Sequence, residues 1–337
     1  MTPYLLLVFA VAFVAALVLT PFTIRLARRL NWLDQPAPRR THQIPTPRLG
    51  GIPLAVAFVA GIVLTFAFPR FGPIDENERP RVIGLCVGVL IVAVVGLIDD
   101  VRELKAAPLF TMQLGVALIA IASGVIIQEI ASPLDGSPIK LPDVVAILFT
   151  LFWIVGMMNT VNFLDGVDGL VGGVTVIASV ILFLHNFKLT QYSIALLPLA
   201  LIGATLGFLI FNFPPAKIFL GSGAYVLGFA LAVLAIIGGA KMATALLALG
   251  IPILDVAWQI ANRLRVRRSP FAGDRGHLHH RLYDSGLSMR AIVLVYYLLT
   301  AAFGALALIL PSGIPKTIAL VVIGGGALAV LARLRRQ

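Results

Sequence analysis

The chain has 337 residues, of which 59% are hydrophobic and only 12% are charged, and its mean hydropathy is +1.00. This composition excludes a soluble globular protein and indicates an integral membrane protein. The 26 Lys and Arg against 15 Asp and Glu give a net charge of +11, which we interpret first as a topology signal and only then as a site for anionic lipid or a nucleotide substrate. Nucleic acid is not expected as a partner.

Eleven mainly apolar stretches are candidates to cross the roughly 30 Å hydrocarbon core of a bilayer as helices. They cover approximately residues 3–23, 50–68, 82–98, 109–128, 143–158, 170–187, 193–211, 224–238, 241–258, 291–310 and 316–332. The sequence therefore predicts an all-α, polytopic membrane protein with about 11 transmembrane helices and catalytic loops on its inner face. Residues 1–337 are expected to form a single transmembrane domain.

The basic residues predict the orientation of these helices. If the N-terminus is outside, the inner loops and the C-terminal tail hold 19 of the 26 Lys and Arg, and the outer loops hold 7. This bias obeys the positive-inside rule and places the C-terminus inside. The unusual polar motifs then all fall in inner loops, which is typical of an enzyme or carrier with one aqueous working face.

The first inner loop contains the segment RRTHQIPTPRLGG (39–51), a stiff turn followed by two glycines. Arg40, His42 and Arg48 are its potential phosphate partners. The sequence contains neither a Walker loop nor a G-x-G-x-x-G motif, so a nucleotide would need another type of pocket.

The second inner loop opens with GLIDDVRE, in which Asp99 and Asp100 end an apolar run and Glu103 follows about one helical turn later. We expect the three acids to converge on one site, where their oxygens would suit Mg²⁺ or Mn²⁺. Adjacent carboxylates repel unless a cation or a proton neutralises them. The alternative interpretation is a solvated helix end followed by a turn.

The third inner loop is NTVNFLDGVDGL (159–170), where Asn159, Asn162, Asp165 and Asp168 recur every three residues and predict one polar helical stripe. Two glycines would loosen the helix and let a ligand approach the backbone. A simple capped break between two spans is the alternative, but a cap needs only one such residue. Because ionised acids beside membrane spans are costly, the motif indicates a functional site.

The fifth inner loop contains His277, His279 and His280, which could grip a phosphate or a sugar hydroxyl. Zinc is the competing interpretation, but Cys partners are lacking and adjacent histidines do not face the same way on a helix. Asp255, near the inner end of the ninth span, is interpreted as a structural partner of Arg263 or a neighbouring Arg.

Together these motifs resemble those of the polyprenyl-phosphate N-acetylhexosamine-1-phosphate transferases, glycosyltransferase family 4, over nearly the whole chain. RRTHQIPTPRLGG looks like the first-loop motif, GLIDDVRE like the DDxx(D/E) element and NTVNFLDGVDGL like the NxxNxxDGxDGL element. KIFLG and SPFAGDRGHLHHRL resemble the fourth-loop and fifth-loop motifs. The DRGHLHHRL form is most similar to bacterial undecaprenyl-phosphate GlcNAc-1-phosphate transferases.

The resemblance implies a Mg²⁺-dependent (or Mn²⁺-dependent) phosphoglycosyltransferase of the bacterial plasma membrane, acting at the cytoplasmic face. Such an enzyme moves GlcNAc-1-phosphate from UDP-N-acetylhexosamine to undecaprenyl phosphate and releases UMP, as the first lipid-linked step of cell-envelope polysaccharide synthesis. Membrane lipids are the surrounding partners, and a homodimer stays open.

The resemblance also implies roles for particular residues. Catalytic and metal-binding roles fall on four acids: Asp99, Asp100, Asp165 and Asp168. Substrate contacts fall on eight further residues: Arg40, His42, Asn159, Asn162, Lys217, His277, His279 and His280. Direct attack by the lipid phosphate and a two-step path through a phosphorylated Asp both stay open.

One departure from the family pattern concerns the fourth loop, which reads FxGDxG in the family and FLGSG here, so that Ser222 follows Gly221 directly. A one-residue deletion of the Asp explains this difference. Because hard divalent ions depend on the number of carboxylates, metal affinity and turnover should fall unless other acids compensate. A catalytically impaired family member is therefore one alternative function, and a cation-coupled transporter is another.

Overall fold

The computed structural model describes residues 2–35, 44–67, 74, 76–239, 246, 249–265 and 278–333. The helices are α1 (Thr2–Arg29), α2 (Gly51–Ala67), α3 (Arg79–Arg102), α4 (Ala106–Ala122), α5 (Asp143–Leu164), α6 (Leu170–Lys188), α7 (Tyr192–Asn212), α8 (Gly223–Ile237), α9 (Gly250–Arg265), α10 (Leu278–Asp284), α11 (Met289–Ile309) and α12 (Ile314–Arg333). Two short antiparallel pairs join β1 (Leu33–Asp34) to β2 (Thr46–Pro47) and β3 (Glu129–Ala131) to β4 (Pro138–Lys140). The all-α prediction is confirmed.

Six of the described helices are long and apolar enough to cross a membrane, namely α1, α3, α5, α6, α7 and α11. The shorter helices α2, α4, α8 and α12 are also apolar, so ten of the eleven predicted spans coincide with apolar helices. The ninth span, predicted at 241–258, overlaps α9 from Gly250 onward, and most of its first half lies outside the described residues. The chain is a multi-pass membrane protein.

Helix α8 lies at the centre of the bundle and is buried along nearly its whole length. Its sequence, GAYVLGFALAVLAII, is apolar on every side, and a helix without a polar face is stable only when it is surrounded. It packs against α2, α3, α5 and α6. The N-terminal end of α8 is thereby placed beside the last turn of α3 and the first turn of α2.

Helices α1 and α7 pack closely because α7 presents two glycines four residues apart. A Cβ at Gly203 would lie 2.5 Å from the carbonyl oxygen of Phe9, and one at Gly207 would lie 2.5 Å from that of Phe13. Any side chain would push the two backbones apart. This contact fixes α7, whose C-terminal end carries the fourth predicted inner loop.

The described parts of the first four predicted inner loops meet at one end of the bundle. The Phe219 N–H donates to the Pro47 carbonyl at 2.8 Å and joins the fourth loop to the first. The Tyr297 hydroxyl, on α11, donates to the Gly169 carbonyl of the third loop at 2.6 Å. At the other end, the β3–β4 hairpin receives a hydrogen bond from Ile314 at the start of α12. The polar motifs of the first four predicted inner loops therefore share one face, and most of the fifth-loop motif lies outside the described residues.

Asp255 on α9 is almost completely buried and accepts a hydrogen bond from the Leu278 N–H at 2.9 Å. This contact holds the first residue of α10 against α9. The predicted pairing of Asp255 with Arg263 or a neighbouring Arg stays a prediction.

Candidate active site

The Asp99 side chain has two different tasks at the end of α3. Its Oδ1 accepts from the Leu104 N–H at 2.9 Å and closes the turn after the helix, while its Oδ2 accepts from the Ser222 hydroxyl at 2.6 Å. Helix α3 ends at Arg102, and Glu103 is exposed in a left-handed conformation with φ 49°. The prediction that Glu103 joins Asp99 and Asp100 at one site is wrong. Among the described side chains, no three His, Cys, Asp or Glu lie close enough together to hold one metal ion.

Asp100 is bound on the same side by Ser222. Its Oδ1 accepts from the Ser222 N–H at 2.9 Å and lies 3.0 Å from the Ser222 hydroxyl oxygen. The Asp100 side chain is only 3% exposed, and Ser222 is only 2% exposed. Asp99, Asp100 and Ser222 together form a compact group of oxygens, which we call the acid–serine cluster.

In the acid–serine cluster, two carboxylate oxygens compete for the single proton of the Ser222 hydroxyl. A serine hydroxyl carries one proton, yet a carboxylate oxygen of Asp99 and one of Asp100 both lie within 3.0 Å of the Ser222 oxygen. Only one of these oxygens can receive the proton, so the other meets a lone pair. The arrangement leaves negative charge uncompensated and favours an additional positive charge at this point.

Glycines let the loop after Phe219 reach the two acids. Gly221 has φ +58°, and a Cβ there would lie 2.7 Å from both the Arg48 carbonyl oxygen and Asp100 Oδ1. A Cβ at Gly96, one turn before Asp100 on α3, would lie 2.9 Å from the Ser222 Cβ. Side chains at these two positions would separate α3 from α8 and open the cluster.

Arg48 is the basic residue that faces these acids. Its Nε lies 3.6 Å from Asp100 Oδ1, and its side chain is 40% exposed. The backbone on either side is fixed, since Phe219 N–H donates to the Pro47 carbonyl at 2.8 Å and Gly50 N–H donates to the Phe219 carbonyl at 3.1 Å. The guanidinium therefore stands between the buried cluster and the open end of the bundle.

Asp165 and Asp168 lie in the turn between α5 and α6. Burial raises the pKa of the Asp165 carboxyl to about 7, Arg48 partly opposes this shift and the negative charge of Asp168 adds to it. Asp168 Oδ2 accepts from the Ala216 N–H at 3.0 Å. Arg48 thus interacts electrostatically with the third loop as well as with Asp100.

Asn212, at the end of α7, joins the third and fourth loops. Its side-chain oxygen accepts from the Gly169 N–H at 3.1 Å, and its side-chain nitrogen donates to the Ile218 carbonyl at 2.9 Å. Nearby, the Asn162 side chain is hydrogen-bonded to the Tyr225 hydroxyl on α8. These bonds hold the NxxNxxDGxDGL segment against the first turn of α8.

Other predicted substrate-binding residues have different positions. Asn159 pairs with Gln113 on α4, donating to its side-chain oxygen at 2.6 Å, and also donates to the Val155 carbonyl of its own helix at 2.8 Å. Lys217 lies in the fourth loop, and its side chain is exposed. Arg40, His42 and His277 lie outside the described residues, as do the side chains of His279 and His280.

A cavity of about 530 Å³ opens beside the third and fourth loops. Its walls combine apolar surfaces with a few polar groups from Ile44, Thr46, Asp168, Pro214, Pro215, Ala216, Phe219, Ser288, Met289 and Arg290. Arg290 was not predicted as a site residue. Its Nε donates to the Pro214 carbonyl at 3.2 Å, a contact between residues 76 positions apart, and only its place at the inner start of a span could have drawn attention to it.

Residues 82–239 match the family model described as glycosyl transferase family 4. The chain is 34% identical over 311 residues to a probable undecaprenyl-phosphate N-acetylglucosaminyl 1-phosphate transferase of Bacillus subtilis, covering 90% of this chain and 84% of that protein. It is also 34% identical over 340 residues to a decaprenyl-phosphate N-acetylglucosaminephosphotransferase of Mycobacterium tuberculosis, covering 92% and 83%.

A more distant relative is the phospho-N-acetylmuramoyl-pentapeptide-transferase of Staphylococcus carnosus, 26% identical over 320 residues, which cover 88% of this chain and 96% of that protein. The matches to all three relatives span the acid–serine cluster and nearly all the described helices. This chain belongs to glycosyl transferase family 4.

Proposed function

We propose that this protein transfers N-acetylhexosamine 1-phosphate, specifically GlcNAc-1-phosphate, from a UDP-sugar to undecaprenyl phosphate and releases UMP. An oxygen of the lipid phosphate forms a bond to the β-phosphorus of the donor. The bond from that phosphorus to the oxygen bridging the α-phosphate breaks, and UMP leaves with the bridging oxygen. Family membership and the names of the relatives support this class of reaction.

The observation that carries the proposal is the acid–serine cluster, with Arg48 beside it, at one end of a membrane-embedded bundle. Two anionic substrates must meet in this reaction, and positive charge has to offset both their repulsion and the charge that develops on the leaving UMP. The N-terminal ends of α2 and α8 also meet here, since a Cβ at Gly51 would lie 2.8 Å from the Gly223 Cα. Helix N-termini favour phosphate groups nearby.

The acid–serine cluster fits a divalent cation. Its donors are all oxygens, and the shared Ser222 hydroxyl leaves carboxylate charge uncompensated. Mg²⁺ typically binds through one or two carboxylates together with substrate phosphates, which matches two acids and no third in the described group. Asp99, Asp100 and Ser222 would hold the ion, and when bound it would neutralise phosphate charge and polarise a phosphoryl oxygen.

Arg48 is suited to bind a phosphate of the donor. It is half-exposed, the backbone on either side of it is fixed by hydrogen bonds at Pro47 and Gly50, and its Nε is 3.6 Å from Asp100 Oδ1, too far for a strong hydrogen bond. A guanidinium in this position can turn towards an incoming phosphate with little backbone movement. It would thereby orient the diphosphate against the acid–serine cluster.

The cavity beside Asp168 is suited to the nucleotide portion of the donor. Its volume of about 530 Å³ falls in the usual range for small-molecule sites. Pro214, Pro215 and Phe219 offer apolar surfaces to a flat base, while Thr46 and Arg290 offer hydrogen-bonding groups for ribose and phosphate. Binding there would place the diphosphate towards the cluster and Arg48.

The membrane arrangement follows from the same proposal. The plasma membrane holds the protein with the N-terminus outside and the C-terminus inside, because 19 of 26 Lys and Arg then lie on the inner side. The active end is cytoplasmic, where UDP-sugars are soluble. The prenyl chain of the acceptor lies among the apolar helices, and its phosphate reaches the cluster from the membrane.

The test is UMP release by the purified chain in detergent with UDP-GlcNAc, undecaprenyl phosphate and Mg²⁺. We expect release only when both substrates and the cation are present. A second variant carries an Asp inserted between Gly221 and Ser222. Turnover by the inserted variant alone would identify a catalytically impaired family member, whereas no turnover by either protein would overturn the proposed reaction.

A further inference from the structure

Ser222 behaves differently from an ordinary serine at the start of a helix. A serine before the first helical turn usually accepts a hydrogen bond from a backbone N–H of that turn. Ser222 stands at this position of α8, but its side chain makes no capping bond. Its hydroxyl lies instead 2.6 Å from Asp99 Oδ2 and 3.0 Å from Asp100 Oδ1. The side chain is committed to the acids and not to the helix.

The site around Ser222 carries less negative charge than a site with a third acid would carry. In the described part of the chain, no third His, Cys, Asp or Glu joins Asp99 and Asp100 in a group that could hold a metal. Asp168 in the neighbouring turn accepts a backbone hydrogen bond from Ala216. Arg48 adds one positive charge 3.6 Å from Asp100. A divalent ion therefore meets two carboxylates, one neutral hydroxyl and a competing cation.

Such a site is too weak to hold a hydrated divalent ion tightly by itself, because affinity for hard cations rises with the number of carboxylates. Phosphate oxygens of a bound donor would supply the missing negative ligands, and they would also draw Arg48 away from Asp100. Each of these two effects makes the ion bind better when the nucleotide is present. Thermodynamic linkage then requires that the ion improve nucleotide binding by the same factor.

We propose that Ser222 is a neutral ligand position that makes cation binding depend on the donor: the ion is held jointly by Asp99, Asp100, Ser222 and the phosphates of the UDP-sugar, and only weakly without them. This inference rests on the proposed function for the identity of the donor. It explains how a chain with serine at this point of the fourth loop can keep a working cation site without replacing the lost carboxylate.

The experiment measures Mn²⁺ binding to the full chain in detergent by electron paramagnetic resonance of the free ion. Titrations are made without nucleotide and with UDP-GlcNAc but no lipid acceptor, and protein-free UDP-GlcNAc corrects for binding of the ion in solution. We expect UDP-GlcNAc to lower the apparent Kd for Mn²⁺ by about tenfold or more. Equal affinity with and without UDP-GlcNAc would overturn the inference.

Two variants separate charge from shape. Ser222→Asp adds a carboxylate, so Mn²⁺ should bind tightly without nucleotide, and UDP-GlcNAc should improve its affinity less than in the native chain. Ser222→Asn introduces a side chain of nearly the same shape as the aspartate but without its charge. This variant should bind Mn²⁺ no more tightly than the native chain. If Ser222→Asn tightened Mn²⁺ binding as much as Ser222→Asp, charge would not be the cause and the inference would be wrong.

A thermal readout covers the case in which added charge disturbs folding. Without cation, Ser222→Asp should unfold at a lower temperature than the native chain. Added Mn²⁺ should raise the unfolding temperature of Ser222→Asp more than it raises that of the native chain. If Ser222→Asp cannot be purified, the titrations of the native chain still decide. UMP release together with nucleotide-independent Mn²⁺ binding would refute this inference alone, whereas nucleotide-dependent Mn²⁺ binding without UMP release would refute only the proposed reaction.

Discussion

Replacing Gly221 by Ala should open the acid–serine cluster. The new Cβ would lie 2.7 Å from the Arg48 carbonyl oxygen and 2.7 Å from Asp100 Oδ1, and the first of these atoms belongs to backbone that cannot rotate away. A side chain at φ +58° also adds strain of about 1–3 kcal/mol. With the overpacking, we expect the free energy of unfolding to fall by about 2–5 kcal/mol.

Activity should fall more than stability does. The Cβ displaces Asp100 or Arg48 by a substantial part of an ångström, and a misplacement of about 1 Å can lower a rate by about 100-fold. Thermal unfolding in detergent and UMP release measure the two effects. Gly115→Ala is the matched control, because nothing lies within 4 Å of its added Cβ, and it should leave both quantities nearly unchanged. Full turnover and native stability of Gly221→Ala would refute the geometry described for this loop.

Three further predictions concern neighbouring groups. Arg48→Gln should raise the KM for UDP-GlcNAc about tenfold in steady-state kinetics, because it removes a charge-assisted contact to a phosphate of the donor. The control is Arg102→Gln, which changes an exposed residue at the same end of the bundle and should leave the KM unchanged. Asn212→Ala should lower the free energy of unfolding by about 2–4 kcal/mol, since it leaves the Gly169 N–H and a carbonyl unpaired, as thermal or denaturant unfolding would measure. In the folded, cation-free protein the pKa of the Asp165 carboxyl is raised to about 7, whereas an Asp in the unfolded chain has a pKa of about 4. Between these two pH values the folded state holds a proton that the unfolded state has released. Stability should therefore fall as pH rises from about 4 to 7, and Asp165→Asn should flatten that slope in unfolding temperatures.

Specific results would contradict each of these predictions. An unchanged KM in Arg48→Gln would remove Arg48 from the donor site. Native stability of Asn212→Ala would mean that water replaces its two bonds. A pH slope that persists in Asp165→Asn would assign the titration to another group.

Hydropathy and charge alone predicted the membrane-spanning helices and the gathering of polar loops at one end, because both depend on local composition. The sequence singled out Asp99 and Asp100 as site candidates, and the structure brings both against Ser222. The predicted helical stripe holds for Asn159 and Asn162, which lie in the last turns of α5, but not for Asp165 and Asp168, because α5 ends at Leu164 and these two acids lie in the turn before α6.

Contacts between distant parts of the chain could not be predicted. The left-handed conformation of Glu103 turns the chain after α3, although the spacing D-D-x-x-E suggested a continuing helix. The β1–β2 pair and the bond from Arg290 to Pro214 depend on how the helices pack, and neither leaves a local pattern. The position of the Ser222 hydroxyl between two acids likewise depends on α3 and α8 being neighbours in space.

If the acid–serine cluster performs phosphosugar transfer, mass spectrometry should detect the lipid product. UDP-GlcNAc, undecaprenyl phosphate and Mg²⁺ are incubated with the native chain, with Asp100→Asn and with Glu103→Gln, the last being an exposed acid three residues away. We predict undecaprenyl diphosphate-GlcNAc and equimolar UMP from the native chain and from Glu103→Gln, and neither product from Asp100→Asn. Equal product from Asp100→Asn would show that the acid–serine cluster does not perform the transfer.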